Sequence, residues 1–269
     1  MEQQKKEVIK HFNAWSSTYE REVWSRDKYF HRMTEILVMN SIQGKEKMNI
    51  LELGVGPGIY LKEFIQRSHF AVGLDFSVDM LRIAKKKLEK NHCNIVNLVL
   101  ADAEFLPFRD SIFDVINCIE VLRHLTKPYV TIWNIFKEMN RKLTRRGFIL
   151  ITMPNILFPI NLFWVIYYSI PRNIMRFFHI EVGLHHNQKS SFPHFPVLYN
   201  EPEDHMYNIF FIKSLLSRTN LKISLLKGIF FFPACPKLLL KLINIIDRIL
   251  GASYLSFLAY SFFIKLRRV

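Results

Sequence analysis

Between about residue 48 and residue 155 the chain alternates short, mostly apolar runs with longer segments whose apolar positions recur at helical spacing. The runs near 48–53, 70–75, 95–100, 113–119 and 147–152 predict strands. From about Pro128 to Leu143, the residues Val130, Ile132, Trp133, Ile135, Phe136 and Met139 line one helical face, with Gly147 just beyond its end. Ahead of the first strand, about Lys5 to Gln43 reads as a helical region. Alternating strand and helix make parallel strands with right-handed crossovers. The predicted class is therefore α/β, an open Rossmann-like sheet with ligands at the C-terminal strand ends.

The alternation stops at residue 155. Asn155–Asn208 has no regular period and carries many of the prolines and histidines. Those histidines, His179, His185, His186, His194 and His205, lack a tight metal-ligand spacing. Two stretches look membrane-like. Ile156–Ile170 is too short for a span and contains Pro159. Pro236–Leu250 places Lys237, Lys241, Asn244, Asp247 and Arg248 on a narrow polar stripe beside a wide apolar face. Such a helix can lie in a bilayer interface with its cations at anionic headgroups, or pack inward to line an apolar pocket.

Composition narrows the class. A chain of 269 residues, half of them hydrophobic, suits one domain with an insertion or cap. Cys93, Cys118 and Cys235 show no paired spacing, which argues against a disulfide scaffold or zinc site and suits a reducing, cytoplasmic compartment. Cys118 falls in an apolar run and reads as a core residue. The opening MEQQKKEVIKHF lacks the apolar core of a signal peptide. The net charge of +14 admits nucleic acid, anionic lipid or acidic small molecules as partners. Part of that excess is mundane: Ala84–Lys90, AKKKLEK, reads as the exposed face of a helix.

The chemistry concentrates at Asn49–Tyr60, NILELGVGPGIY. An apolar strand ends near an acid, and Gly54, Gly56 and Gly58 follow at alternate positions before a helical pattern. Such a turn lets backbone approach a nucleotide-type ligand without Cβ interference. Asp75 ends the next apolar run, AVGLD, about 20 residues on, where an acid can accept from a ribose diol.

With ELGVGPG followed by GLDFSVDML, the chain resembles the class I S-adenosyl-L-methionine (SAM)-dependent methyltransferases. Leu100–Leu125, LADAEFLPFRDSIFDVINCIEVLRHL, is similar to the segment from the adenine-contacting acid through the fourth strand in the ubiquinone and menaquinone methyltransferase branch. Met139–Asn155, MNRKLTRRGFILITMPN, looks like the helix, glycine turn and fifth strand that follow. The resemblance covers about residues 8–155 well and is looser beyond.

The resemblance implies a single domain, 1–269, with a seven-stranded, mostly parallel sheet and a C-terminal antiparallel hairpin. Residues 1–43 would be a helical cap, 155–208 an insertion over the acceptor site, and 236–250 an amphipathic helical insertion. The family's helix after the fifth strand would fall at about Phe211–Thr219, and the hairpin strands at about 222–231 and 256–266. SAM is the implied cofactor. Gly54, Gly56 and Gly58 would flank its methionine part. Glu52 would hold its amino group or order the loop, and Asp75 would accept from its ribose. Phe76 and Met80 would flank the adenine; Asp102 would accept from the adenine amine, with the Ala103 N–H nearby. The backbone of Cys118, Ile119 and Glu120, after the fourth strand, would run under the methionine portion, with Ile119 at the cofactor, and Tyr19 would fold over the cofactor from the N-terminal helix. His124 is a candidate base, or a helix-start histidine bonded to backbone. Some quinone O-methyltransferases carry a second acid one place before that histidine and hold a divalent cation. This chain has Arg123 there, so no metal is expected.

The expected function is methyl transfer to a small or lipid-like acceptor, with an anionic membrane surface as a further partner. The oligomeric state is not legible. Nucleic acid is disfavoured as acceptor: the fourth strand ends in CIEVL, without the Asn or Asp and paired prolines that hold a flipped base in many base-amino methyltransferases. A NAD dehydrogenase is disfavoured by GxGxG in place of GxGxxG. A non-catalytic SAM-binding protein remains the other alternative.

Overall fold

Strand β1 (Asn49–Leu53) lies near the centre of a seven-stranded sheet, flanked by β2 (Phe70–Asp75) and β4 (Phe113–Cys118). The computed structural model describes residues 2–26, 28–44, 47–68, 70–91, 96–125, 128–159, 206–229, 245, 256 and 258–269. The strand order is β3-β2-β1-β4-β5-β7-β6, with β3 at Asn97–Leu100, β5 at Leu143–Pro154, β6 at Leu221–Ile229 and β7 at Ser261–Arg268. Strands β1–β5 pair in parallel; β7 pairs antiparallel with both β5 and β6. The chain winds outward from β1 in both directions. The β1/β4 crevice is thus a switch point, where an open α/β sheet leaves room for a ligand.

β1, β2 and β4 are buried along nearly their whole lengths, because helices cover both faces. One face packs against α5 (Pro128–Lys142) and α6 (Ile209–Leu216) through Ile132, Ile135, Phe136, Met139 and Ile212. The other packs against α2 (Lys28–Ile42), α3 (Ile59–Arg67) and α4 (Val78–Lys90) through Val38, Leu61, Phe64 and Leu88. The lysine run of α4 faces outward around buried Ala84 and Leu88. Cys118 is fully buried, and burial pushes its thiol up to about 12. The N-terminal helical region is two helices, α1 (Glu2–Arg26) and α2. α1 packs on α4, with Val8 and Phe12 against Met80.

Some boundaries differ from those expected. Gly147 does not end a helix. α5 runs directly into β5, whose pairing with β4 skips from Phe113↔Leu143 to Val115↔Phe148. A Cβ on Gly147 would stand 2.7 Å from Leu143 Cδ1 and 2.9 Å from Asp114 O, so glycine lets the bulged chain rejoin the sheet. α6 starts at Ile209 rather than 211 because the Asn208 side chain accepts from Phe211 N at 2.8 Å, an N-cap. The hairpin strands occupy 221–229 and 261–268 rather than 222–231 and 256–266. Most of the 155–208 insertion, and 236–250 apart from residue 245, lie outside the described residues, as do Cys93, Cys235 and the five insertion histidines.

Candidate active site

The first βα turn is shaped by glycine. Gly54, Gly56 and Gly58 have φ of 65°, 48° and 77°, which L side chains rarely adopt. Gly58 caps α3 without any side-chain hydrogen bond. Asp75 braces the turn from β2. Its Oδ2 accepts from Gly56 N and its Oδ1 from Ser77 N, both at 2.9 Å. Burial raises the Asp75 carboxyl above its ordinary value, and the backbone donors Ser77, Gly56 and Phe76 pull it back.

Two cavities meet across this turn. The larger, about 900 Å³, is lined on one side by Asp75, Phe76, Met80, Asp102 and Ala103, and on another by Ile119, Glu120 and His124. The smaller, about 450 Å³, holds Glu52, Pro57, Ile59, Tyr60 and His31. Tyr19, Gly54, Gly56, Ile119 and Glu120 line both, so the two are lobes of one cleft with the glycines at its waist. Helix α1 roofs the larger lobe with Lys5, Val8, Phe12 and Tyr19.

The structure therefore brings Tyr19, Glu52, Gly54, Gly56, Asp75, Phe76, Met80, Asp102, Ala103, Ile119 and His124 to one cleft. Gly58 stands apart: a Cβ there would meet Ala84 and Leu88 of α4, so it serves helix packing. Asp102 Oδ1 accepts from Glu104 N at 2.9 Å, and its Oδ2 pairs with Lys5 Nζ at 2.7 Å, with Glu104 taking the same ammonium. His124 sits in a short 3-10 turn, its ring edge-on to Phe12 at 5.2 Å and its backbone N–H donating to Val121 O.

Three groups take roles that sequence reasoning did not give them. Lys5, Val8 and Phe12 belong to the roof, and only their helical spacing signals it. Glu120 lines both lobes with φ of 59°, a strained conformation for a side-chain-bearing residue. Thr152 and Arg123 hold it there. Thr152 Oγ1 accepts from Glu120 N and donates to Oε1, both at 2.8 Å, and Arg123 Nη1 donates to Oε2 at 2.9 Å. Arg123 thus occupies a carboxylate that would otherwise be open to a cation. The third group is Tyr60 with His31, from α3 and α2, at the smaller lobe. Tyr60 lies just past the glycine turn, but nothing in its residue type marks it.

An elongated cleft with close-approach glycines at its waist and acids in both lobes has a form that suits a nucleoside-type ligand with a charged tail. The glycines fit such a ligand: a Cβ on Gly54 would collide with Val121, and at Gly56 only Gly54 O lies within 4.0 Å, leaving open space. Residues 51–151 match the family described as a methyltransferase domain. The demethylmenaquinone methyltransferase of Staphylococcus carnosus is 33% identical over 149 residues, 54% of this chain and 58% of its own. The ubiquinone biosynthesis O-methyltransferase of Glaesserella parasuis is 31% identical over 106 residues, 37% of this chain and 44% of its own. The chain spans about half the length of the curated relatives it matches. The magnesium protoporphyrin IX methyltransferase of Synechocystis, solved with bound SAH, shares the fold with a TM-score of 0.63 over 99% of this chain and 100% of that one, at 13% identity. The fold is that of the Rossmann-like methyltransferases. Residues 51–151 thus carry a methyltransferase-type segment, similar to those of the ubiquinone and menaquinone enzymes.

Proposed function

We propose that the protein transfers a methyl group from SAM to a small, amphiphilic acceptor of quinone-like or lipid-like character. The observation that carries the reading is the two-lobed cleft, with Gly54 and Gly56 between the acids Asp75 and Asp102 on one side and Glu52 on the other. When bound, SAM supplies a methyl group already activated on a sulfonium, so the chain has to align the partners and exclude water. Asp75 keeps lone pairs beyond its two backbone donors for a ribose diol. Phe76 and Met80 offer apolar surface to a base, beside Ala103. α1 covers part of the larger lobe with Val8 and Phe12. His124, in that lobe, is the imidazole we assign to take a proton from an acceptor hydroxyl.

The acceptor class follows from two supports. The relatives' names point to quinone precursors, and Ile156–Ile170, which follows β5 at the C-terminal edge of the sheet, is apolar in sequence. Calorimetry with SAM and S-adenosylhomocysteine tests the reading. Both should bind, and Asp75→Ala should weaken both by about 1–3 kcal/mol, because it leaves ribose hydroxyls and loop amides without their acceptor. Heat from NADH and none from either sulfur ligand would overturn it.

A further inference from the structure

The smaller lobe contains buried polar atoms that the fold leaves without partners. Glu52 is 3% exposed and Tyr60 8%, and neither Glu52 Oε2 nor the Tyr60 hydroxyl has a hydrogen-bond partner. Unpaired buried polar atoms are costly, and native proteins keep few of them without a use. Both residues line the same cavity, at the end of the cleft away from Asp102.

The two groups differ in chemistry. Glu52 is an acceptor that gains from a cation. Burial, and then the Asp75 carboxylate, hold its carboxyl well above the ordinary range, so the free protein favours the protonated form and a cation beside it would favour the carboxylate. Tyr60 is a donor. Burial, followed by Glu120 and Glu52, pushes its phenol well above its usual value, so the proton stays on. Its ring is stacked on Phe64, centroids 6.5 Å apart and planes 22° apart, which fixes where the hydroxyl points. Tyr60 also stands in the first turn of α3, whose N-cap, Gly58, offers no side chain to the helix amides. The first turn of a helix favours an anion. A buried acceptor on β1 and a buried donor in the first turn of α3, lining one lobe, match a zwitterion: an ammonium next to a carboxylate.

We infer that Tyr60 is a ligand-selecting residue, its hydroxyl donating to the α-carboxylate of the cofactor's amino-acid end while Glu52 accepts from the adjacent ammonium. This rests on the reading of the cleft as a SAM site. It adds a residue on α3 to the glycine loop and the acids, and it assigns each half of the zwitterion to a different side chain.

Three ligands separate the halves. S-adenosylhomocysteine has both the ammonium and the carboxylate, decarboxylated SAM the ammonium and a sulfonium but no carboxylate, and 5′-methylthioadenosine none of these. Calorimetric titrations of the wild type, Tyr60→Phe and Glu52→Gln with each ligand test the assignment. Tyr60→Phe should weaken S-adenosylhomocysteine by about tenfold or more, and leave the other two within about twofold. Glu52→Gln should weaken S-adenosylhomocysteine and decarboxylated SAM, and spare 5′-methylthioadenosine. Retained affinity for 5′-methylthioadenosine shows in the same titration that each variant is folded. A Tyr60→Phe loss that is equal for all three ligands, or absent for all three, would overturn the assignment while leaving the cofactor site in place. A wild type that binds none of the three would overturn the cofactor reading itself.

Discussion

Gly54 holds φ at 65°, and a Cβ built on it would stand 2.4 Å from Val121 Cγ2. A side chain there meets backbone strain and a β-branched neighbour that has no long arm to swing away. Gly54→Ala should therefore lower stability by about 1 kcal/mol or more and weaken S-adenosylhomocysteine binding. The double variant Gly54→Ala/Val121→Ala should recover part of the loss, since it removes the collision and keeps the strain. Thermal melts and calorimetry on both read this; a single variant equal to wild type would contradict it. Glu52 gives a pH signature. Its carboxyl is raised by burial and by Asp75, so the folded state holds the proton more tightly than the unfolded chain. That contribution is complete below the ordinary value of 4.5, declines as pH rises above it, and is gone once pH passes the raised value. Glu52→Gln stays neutral throughout. Without ligand, the wild-type melting temperature should fall relative to the variant as pH rises, and the two should converge in acid. Parallel curves would mean that Glu52 titrates at its ordinary value in the folded protein.

At the scale of elements, α1 is the part that can govern access. Its polar ties reach the loops after β2 and β3. Lys5 pairs with Asp102 and Glu104, and Ser77 Oγ donates to Asn13 Oδ1 at 2.5 Å. Between these ties Val8 and Phe12 pack on Met80 and Phe76. Lys5 is about a quarter exposed, so its ion pairs add little to global stability, under about 1 kcal/mol. Their effect should fall on the roof. Lys5→Met should speed S-adenosylhomocysteine release several-fold in a stopped-flow chase with little change in melting temperature. Added salt should narrow the difference from wild type, as screening weakens the wild-type tie. Release that is unchanged would show that apolar packing alone holds α1 down.

At the scale of the whole molecule, the charge of +14 and the segment Pro236–Leu250 bear on where the protein works. No helix among the described residues is long and apolar enough to cross a membrane. We propose peripheral attachment to anionic bilayers, with Lys237, Lys241 and Arg248 at the headgroups, each worth about 1 kcal/mol at an acidic surface. In flotation assays the protein should rise with vesicles containing acidic lipid and remain below with neutral ones. Leu239→Glu with Ile243→Glu should abolish flotation. Binding indifferent to lipid charge and to both glutamates would favour the inward-packed reading, in which the segment lines an acceptor pocket.

The sequence alone determined the sheet and the glycine turn, because both rest on local rules. Buried parallel strands read as apolar runs, and a close-approach turn needs glycine at fixed places, so 70–75 and Gly54, Gly56 and Asp75 were legible in one dimension. The acids were legible by position, but not by environment. That Asp75 braces Gly56, that Asp102 shares Lys5 with Glu104, and that Glu52 is buried with an unpaired oxygen depend on residues 19 to 97 positions away, or on burial that only packing creates. Gly147 shows the same limit. A glycine after a helix reads as a cap, and only the bulged pairing of β5 with β4 turns it into a point of close backbone approach. The strain at Glu120 and the meeting of Tyr60 with Glu52 in the smaller lobe were decided by tertiary structure. A positive φ on a glutamate is stable only where Thr152 and Arg123 hold it, and a donor beside an acceptor is a fact of folded space rather than of sequence order.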